Sequence, residues 1–355
     1  METYLQHPMI HYDHVCLDTF GYELPPRVVS SEEIEKRLSP LYERLRLPAG
    51  RLELMSGIRE RRLWSDRTRP SDAATLAGKK VLANGGISPE NIECLIFTSV
   101  SRDMMEPATA SFVHNRLGLS SSCLLFDISN ACLGFLDGMV MLANMIELGQ
   151  VKNGLVVSGE TAEQLLESTI LSLLADPDLT RKSIKPAFAS LTIGSGSMGL
   201  YMKRVTKGER GLRLVHGSWR ANTAHSDLCH GGQSGPGTTL MATDSEELLY
   251  RGVETALLTW EAFSGKEGWS GEMIHHFFCH QVGSAHARLL FEKLDLDEKK
   301  NFETLADLGN VGSVSAPITM AMALEQRIFK PGERAALLGI GSGINCMMLG
   351  VEWTE

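Results

Sequence analysis

At 355 residues, with 43% hydrophobic and 22% charged residues, the chain can bury a substantial core as two domains or one duplicated one, and its net charge of −9 argues against a nucleic-acid or polybasic membrane surface. Seven cysteines, odd in number and without a CxxC pair, fit reduced thiols rather than a disulfide framework. The first residues lack the regions of a signal peptide and no apolar run is long enough for a bilayer, so a soluble, cytoplasmic protein is expected.

Residues 9–22 read as a strand of mixed polarity, followed by a turn at Pro25-Pro26. Ser30 and Glu33 form a capping-box signature opening a helix to about Leu45. The basic cluster Arg59, Arg61 and Arg62 reads as a solvated loop with local ion pairs, with a phosphate site as the alternative. Ser71-Asp72 cap a helix ending at Gly85-Gly86, and Pro89 sits at a first helical position before the apolar strand Ile92 to Val100. The polar loop Ser101 to Pro107 lies at the C-terminal end of that strand, where open α/β sheets bind ligands. A helix follows from Ala108 to Leu117.

The apolar run Cys123 to Phe126 reads as a buried strand, and Leu133 to Leu148 as a helix ending near Gly149. Between them lies Asp127-Ile128-Ser129-Asn130-Ala131-Cys132. A cysteine at a strand-to-helix junction meets unpaired N–H groups and the positive end of the helix dipole, which favour thiolate over thiol. A nucleophile and a buried structural cysteine both remain compatible with this stretch taken alone.

Strand Gly154 to Ser158 and a helical region with loop breaks over 160–190 come next. The glycine run Thr192 to Gly199 fits a tight turn or bulge; without a Walker lysine or the dinucleotide spacing, nucleotide binding is discounted. Past residue 205 the pattern restarts with strand Leu212 to Ser218, then a Gly-rich surface loop over Asp227 to Thr239. A helix from Ser245 to Phe263, strand Met273 to Cys279 and a helix from Ser284 to Leu294 follow. The segment Leu308 to Pro317 precedes a helix to Ile328, then come strand Ala335 to Ile340, the loop Gly341-Ser342-Gly343 and a last strand.

These elements form an internal repeat, with halves 1–204 and 205–355. Strand Ile92–Val100 corresponds to Met273–Cys279, the helix start at Cys132 to that at Asn310, and Gly154–Gly159 to Ala335–Gly341. Ser101 to Cys132 is 31 positions and His280 to Asn310 is 30. Two copies of one unit about a pseudo-twofold axis would bring Cys132, His280 and Asn310 to a shared centre.

The order Cys132, His280-Gln281, Gly309-Asn310-Val311-Gly312-Ser313, Gly339-Ile340-Gly341-Ser342-Gly343 resembles the thiolase-fold condensing enzymes, especially β-ketoacyl-ACP synthase III. Ser99 to Asp103, Glu106-Pro107, Asn130 to Leu133 and Gly339 to Cys346 look closer still to the OleA-type enzymes of olefin biosynthesis. The resemblance implies a five-layer αβαβα fold, a homodimer and head-to-head condensation of two fatty acyl-CoAs to a 2-alkyl-3-oxo acid or its CoA ester. It implies no metal or cofactor beyond the coenzyme A thioesters that serve as substrates, and a downstream reductase or hydrolase as partner.

On that resemblance Cys132 takes the first acyl group, and the backbone N–H groups of Cys132 and Ser342 form the oxyanion hole. His280 and Asn310 would bond the carbonyl of the second thioester. Glu106 separates two chemistries: a malonyl donor forms its carbanion by losing carbon dioxide, whereas a plain acyl-CoA needs a base, and burial beside an acyl channel would suit the glutamate to that task. A solvated loop glutamate is the alternative, as a core histidine and a turn asparagine are for His280 and Asn310. Arg51, Met55 and Ala285 stand where synthase III has coenzyme A and carrier-protein contacts, leaving Arg59 as a coenzyme A candidate. Met139, Met141, Met145, Met320 and Met322 would either line an acyl channel or pack the core. The rival reading is a decarboxylating synthase III that uses malonyl-ACP.

Overall fold

The computed structural model describes residues 9–65, 67–235, 238–265 and 269–355. Strands β1 (Met9–His11) and β2 (Val15–Glu23) take up the first apolar segment. After β3 (Arg27–Ser30), the expected helix to Leu45 is two, α1 (Ser31–Arg37) and α2 (Ser39–Leu45). Ser30 does accept the Glu33 N–H, at 3.0 Å, but Pro40 has no N–H to continue the ladder and instead occupies the start of α2.

Helix α3 (Arg51–Ser56) leads to β4 (Glu60–Leu63), which pairs antiparallel with β3. This corrects the expectation of a solvated arginine loop. Strand alternation turns Arg61 inward, where it is fully buried and donates to the carbonyls of Val29 and Leu191 and to Ser31 Oγ. Helix α4 (Pro70–Gly85) starts just ahead of the expected cap, with Asp72 accepting the Arg69 N–H at 3.0 Å.

Strand β5 (Cys94–Thr98), α5 (Thr109–Leu117), β6 (Leu124–Ile128), α6 (Gly134–Glu147) and β7 (Asn153–Glu160) complete a parallel unit, β6–β5–β7. The run expected to be a buried strand is instead the sheet's edge, and Leu124 is 50% exposed. Helices α7 (Glu163–Ala175) and α8 (Lys185–Phe188) precede β8 (Gly196–Arg204). Part of the glycine run is therefore strand rather than turn. Gly199 of β8 pairs with Gly21 of β2 beneath α4, where a Cβ on Gly21 would lie 2.8 Å from the Val81 nitrogen. The missing side chains let the helix lie close on the sheet.

In the second half, β9 (Gly211–Ala221) is followed by β10 (Cys229–Gly235) and β11 (Thr238–Thr243). This antiparallel hairpin replaces the surface loop expected over Asp227 to Thr239. Helix α9 (Ser245–Ser264), β12 (His276–Cys279), α10 (Ser284–Leu294), α11 (Leu305–Leu308), α12 (Ser315–Glu325), β13 (Arg334–Gly341) and β14 (Asn345–Thr354) finish the chain.

The main sheet runs β12-β13-β14-β9-β2-β8-β7-β5-β6, with β1 added on β9. Read outward from the β2–β9 junction, each side repeats one pattern. The antiparallel series β2-β8-β7 matches β9-β14-β13, and parallel β5 matches parallel β12. The counterpart of β6 is reduced to a single parallel bridge between Phe277 and Asn301.

Helices α6 and α12 share one apolar cluster with strands of both sides, joining Phe135, Met139 and Leu142 to Ile318, Val156 and Leu337. Helices α4 and α5 cover the other face of β5 and β7, and α9 and α10 cover that of β12 and β13. The result is helix, sheet, helix, sheet, helix. Met139 and Met320 are buried in the central cluster, whereas Met141 is exposed, so these methionines do not form one channel-lining stripe.

Gly21→Ala is expected to lower the stability of the fold by about 1–3 kcal/mol by forcing α4 off the sheet, read as an earlier denaturant midpoint. An unchanged midpoint would mean that the close packing of α4 is not required.

Candidate active site

The ends of β6, β7, β12 and β13 converge with the starts of α6 and α12. Cys132 lies between β6 and α6, after Ala131, whose φ of 45° is left-handed and unusual for a residue with a side chain. The turn is braced from the other half. Asn345 Nδ2 donates to Asn130 Oδ1 at 3.1 Å, and Asn130 Nδ2 donates to Asp137 Oδ2 at 2.9 Å. Gly341, at the end of β13, packs against this turn: a Cβ there would lie 3.2 Å from Leu133 Cγ and 3.6 Å from the Cys132 nitrogen. Ser342 follows directly in a partly exposed turn, its carbonyl 3.4 Å from Asn345 Nδ2.

His280 begins where β12 ends, its N–H donating to the Leu338 carbonyl of β13 at 2.8 Å. Gln281 anchors it: its N–H donates to Ser315 Oγ at 3.1 Å and its Oε1 accepts the Thr304 N–H at 2.9 Å. Both ring nitrogens of His280 are buried, and neither has a hydrogen-bond partner among the described residues. That is not a satisfied core histidine, since buried polar atoms are nearly always paired. Burial pulls the imidazole down to about 4, assisted by nearby His286, so it is neutral at physiological pH.

Asn310 is buried on the turn ahead of α12. Its backbone pairs with the segment after α8, donating to Thr192 O at 3.0 Å and accepting from the Gly194 N–H at 2.8 Å. Its Oδ1 accepts the Gly312 N–H at 3.0 Å, which directs the amide NH₂ away from the turn. The contacts therefore bring the segments bearing Cys132, His280 and Asn310 to one place.

The thiol departs from expectation. Cys132 is half-buried, and burial pushes it up to about 12, with Glu160 and Cys229 adding to the rise and the residue's own backbone N–H opposing it. Desolvation outweighs the helix start, so the resting sulfur is a thiol rather than a thiolate. Glu160 carries no obvious sequence signal beyond its place at the C-terminal end of β7, where the repeat sets it opposite Ser342.

Glu106 is exposed in the single chain, on the loop Ser101 to Ala108, so it is not buried beside an acyl channel there. The same loop carries Met105, which is 95% exposed. Arg59 is exposed and ion-paired with Asp307, as a loop arginine with a local partner would be. A cavity of about 500 Å³ opens between α7 and the β10–β11 hairpin, but none of Cys132, His280, Asn310 and Glu106 lines it. All seven cysteines are free, and no helix among the described residues is long and apolar enough to cross a membrane.

Two halves of one sheet sharing a central helix pair, with a cysteine at the start of one helix, define a thiolase-like condensing enzyme. Residues 126–176 match the 3-oxoacyl-(acyl-carrier-protein) synthase III family and residues 265–353 its C-terminal family. A curated "acyl-CoA:acyl-CoA alkyltransferase" of Shewanella oneidensis is 41% identical, covering 96% of this chain and 99% of its own; one of Xanthomonas campestris is 39% identical, covering 96% and 99%. The cerulenin-bound crystal structure of Xanthomonas campestris OleA superposes with a TM-score of 0.92 at 37% identity, covering 97% of this chain and 98% of its own. Other structures of that protein carry single substitutions at a cysteine, a glutamate and a histidine. This chain belongs to the OleA-type acyl-CoA:acyl-CoA alkyltransferase family within the synthase III-like condensing enzymes.

Alkylation of Cys132 by iodoacetamide, followed by peptide mass mapping, is expected to rise about ten-fold per pH unit from about pH 7 to 10 without a plateau, because the thiolate fraction grows with pH while it remains small. A plateau below about pH 9 would show the thiol titrating in its ordinary range.

Proposed function

We propose that this protein performs a non-decarboxylative Claisen condensation of two fatty acyl-CoAs, through an acyl group held on Cys132. The observation that favours this reading over the decarboxylating one is the carboxylate Glu106, which a malonyl donor would not need, and the acyl transfer itself is supported by the His280 ring, whose two nitrogens are buried and unpartnered. A neutral imidazole offers one acceptor nitrogen and one N–H. The first can take the thiol proton as sulfur attacks the first thioester carbonyl. The carbon–sulfur bond to coenzyme A then breaks, and coenzyme A leaves as the thiol, taking the proton from the His280 imidazolium. Backbone N–H groups of Cys132 and Ser342 are the proposed donors to the tetrahedral oxygen.

In the second half-reaction Glu106 removes an α-proton from the second acyl-CoA. The His280 N–H and Asn310 NH₂ bond the carbonyl oxygen as it gains enolate charge. The α-carbon attacks the Cys132 thioester, a carbon–carbon bond forms and the carbon–sulfur bond breaks, and the cysteine thiolate takes up a proton equivalent to the one Glu106 removed, which restores both groups. The product is a 2-alkyl-3-oxoacyl-CoA, which hydrolysis converts to the acid. Its 3-oxo group and thioester make a reductase or a hydrolase the fitting downstream partner, in keeping with olefin biosynthesis. Coenzyme A thioesters are the only cofactor chemistry this scheme uses, and Arg59 is a weak candidate contact because Asp307 already holds it. The halves 1–204 and 205–355 each supply one part of the site.

We also propose a homodimer. The outer edge of β6 has no partner strand among the described residues. Asp127 in β6 accepts the Thr109 and Ala110 N–H groups at 2.7 and 2.8 Å, placing the start of α5 and the Met105-Glu106 loop beside that edge. A second copy on this face would take Glu106 out of water, the condition a carboxylate base requires.

Incubation with a single long-chain acyl-CoA and no malonyl donor is expected to give, by mass spectrometry, a product containing both chains. Glu106→Gln should still acylate Cys132 but condense about 10²- to 10⁴-fold more slowly. Dependence on malonyl-ACP, with release of its carboxyl carbon, would instead establish the decarboxylating reading. Leu124→Arg is expected to yield monomers on sedimentation and to lose condensation; an active monomer would defeat the dimer reading.

A further inference from the structure

A carboxylate outside the four proposed catalytic side chains spans the two halves of the site. Glu160 ends β7 and is only 4% exposed. Its Oε1 accepts the Val100 N–H at 3.0 Å, the Ser313 N–H at 3.2 Å and the Ser313 hydroxyl at 2.5 Å. Its Oε2 accepts the N–H and the hydroxyl of Ser101, each at 3.4 Å. Three of the five are backbone N–H groups that reach both oxygens, a pattern that an acceptor-only carboxylate satisfies and an amide, with nitrogen at one position, does not; the Ser101 and Ser313 hydroxyls are shared with the Thr161 and Thr98 carbonyls.

Each end of this network leads to the chemistry. Val100 and Ser101 open the loop that carries Glu106. Ser313 follows Gly312, whose N–H holds Asn310 Oδ1 at 3.0 Å. Gly312 has a φ of +60°, and a Cβ on it would lie 3.1 Å from Glu160 Cδ, so the carboxylate packs directly on the peptide that orients the Asn310 amide. Other structural roles for Glu160 are less well supplied: its carbonyl, not its side chain, accepts the Trp64 Nε1–H at 3.2 Å.

We propose that Glu160 is a positioning residue for the condensation half-reaction, its carboxylate locking the Glu106 loop of one half to the Asn310 turn of the other. The loop that carries the base and the turn that carries the carbonyl-binding amide are thereby fixed by one carboxylate. The inference rests on the Claisen reading above. The carboxylate also has a measurable signature at the sulfur. Glu160 from β7 and Cys229 from β10 are the titratable groups that raise the Cys132 thiol, and removing the negative charge eases thiolate formation.

The test compares wild type, Glu160→Gln and Ser313→Ala with one long-chain acyl-CoA, reading Cys132 acylation by intact mass, condensed product by mass spectrometry, and iodoacetamide alkylation at fixed pH. Glu160→Gln is expected to acylate but to lose about 10- to 100-fold in kcat for condensation, with a smaller change in KM, as for a group displaced by about 1 Å. Its alkylation should be several-fold faster than wild type, a change that loosened packing at a distance would not single out. Condensation at the wild-type rate, or unchanged alkylation, overturns the proposal. If Glu160→Gln does not fold, Ser313→Ala decides, because it keeps the charge and removes one donor: about three- to ten-fold slower condensation with unchanged alkylation supports the proposal, and wild-type condensation overturns it. A wild-type protein that acylates Cys132 yet forms no condensed product defeats the Claisen reading itself, and this inference with it.

Discussion

The site depends on how two half-sheets are joined. Strands β2 and β9 meet at one ladder pair, Cys16 opposite Arg213, where the sheet passes from one half to the other. A single pair is a slender junction, and a buried side chain reinforces it. The Arg213 guanidinium donates to the carbonyls of Val15, Asp13 and Glu209, spanning the strand ends with charge-assisted bonds. Helices α6 and α12 then pack into one apolar cluster between the halves. With that join in place, the end of β13 meets the start of α6, and Gly341 of one half can rest on Cys132 of the other. The proposed active centre is a consequence of the interface between repeats, and neither repeat contains it alone.

The same burial sets the electrostatic character of the centre. It raises the thiol of Cys132 and lowers the imidazole of His280, so both rest neutral. A thiolate–imidazolium pair would be ready to attack, but it would place two charges where water has been excluded. A neutral pair avoids that cost, and in the proposed mechanism it becomes charged only as substrate arrives. The proton can then move to the imidazole while backbone N–H groups meet the developing oxyanion. Glu160 favours the same resting state, since a carboxylate near sulfur opposes a second negative charge.

Much of this was legible in the amino-acid sequence because repeats leave spaced signals. Apolar runs followed by Gly, Asn or Cys marked strand ends, and the near-equal spacing of Ser101–Cys132 and His280–Asn310 reflected a duplicated unit. What escaped was set by partners distant in the chain. The β10–β11 hairpin has too many glycines to read as strand, and it is pairing that makes Cys229–Gly235 extended. Arg61 looked solvated because charge usually is, yet strand alternation and three acceptors bury it. Cys123 to Phe126 looked buried because it is apolar, although its strand has a neighbour on one side only. Glu160 left no local pattern because its partners come from residues 100, 101 and 313.

The two repeats have also diverged in a way that bears on assembly. In the N-terminal half the outermost strand, β6, is complete, with an open edge and an exposed Leu124. In the C-terminal half its counterpart has shrunk to the bridge at Asn301, and the Phe302 N–H meets the Phe277 carbonyl at 3.2 Å. One edge thus invites a strand while the other is blunted. A chain with one such edge can pair with itself about a two-fold axis, and that pairing uses up the edge, so assembly closes at two copies rather than growing. The loop bearing Glu106 stands beside this edge. Duplication therefore accounts for the thiol, the imidazole and the amide within one chain, and the loss of symmetry between the repeats accounts for why the base would need a second chain to be shielded from water.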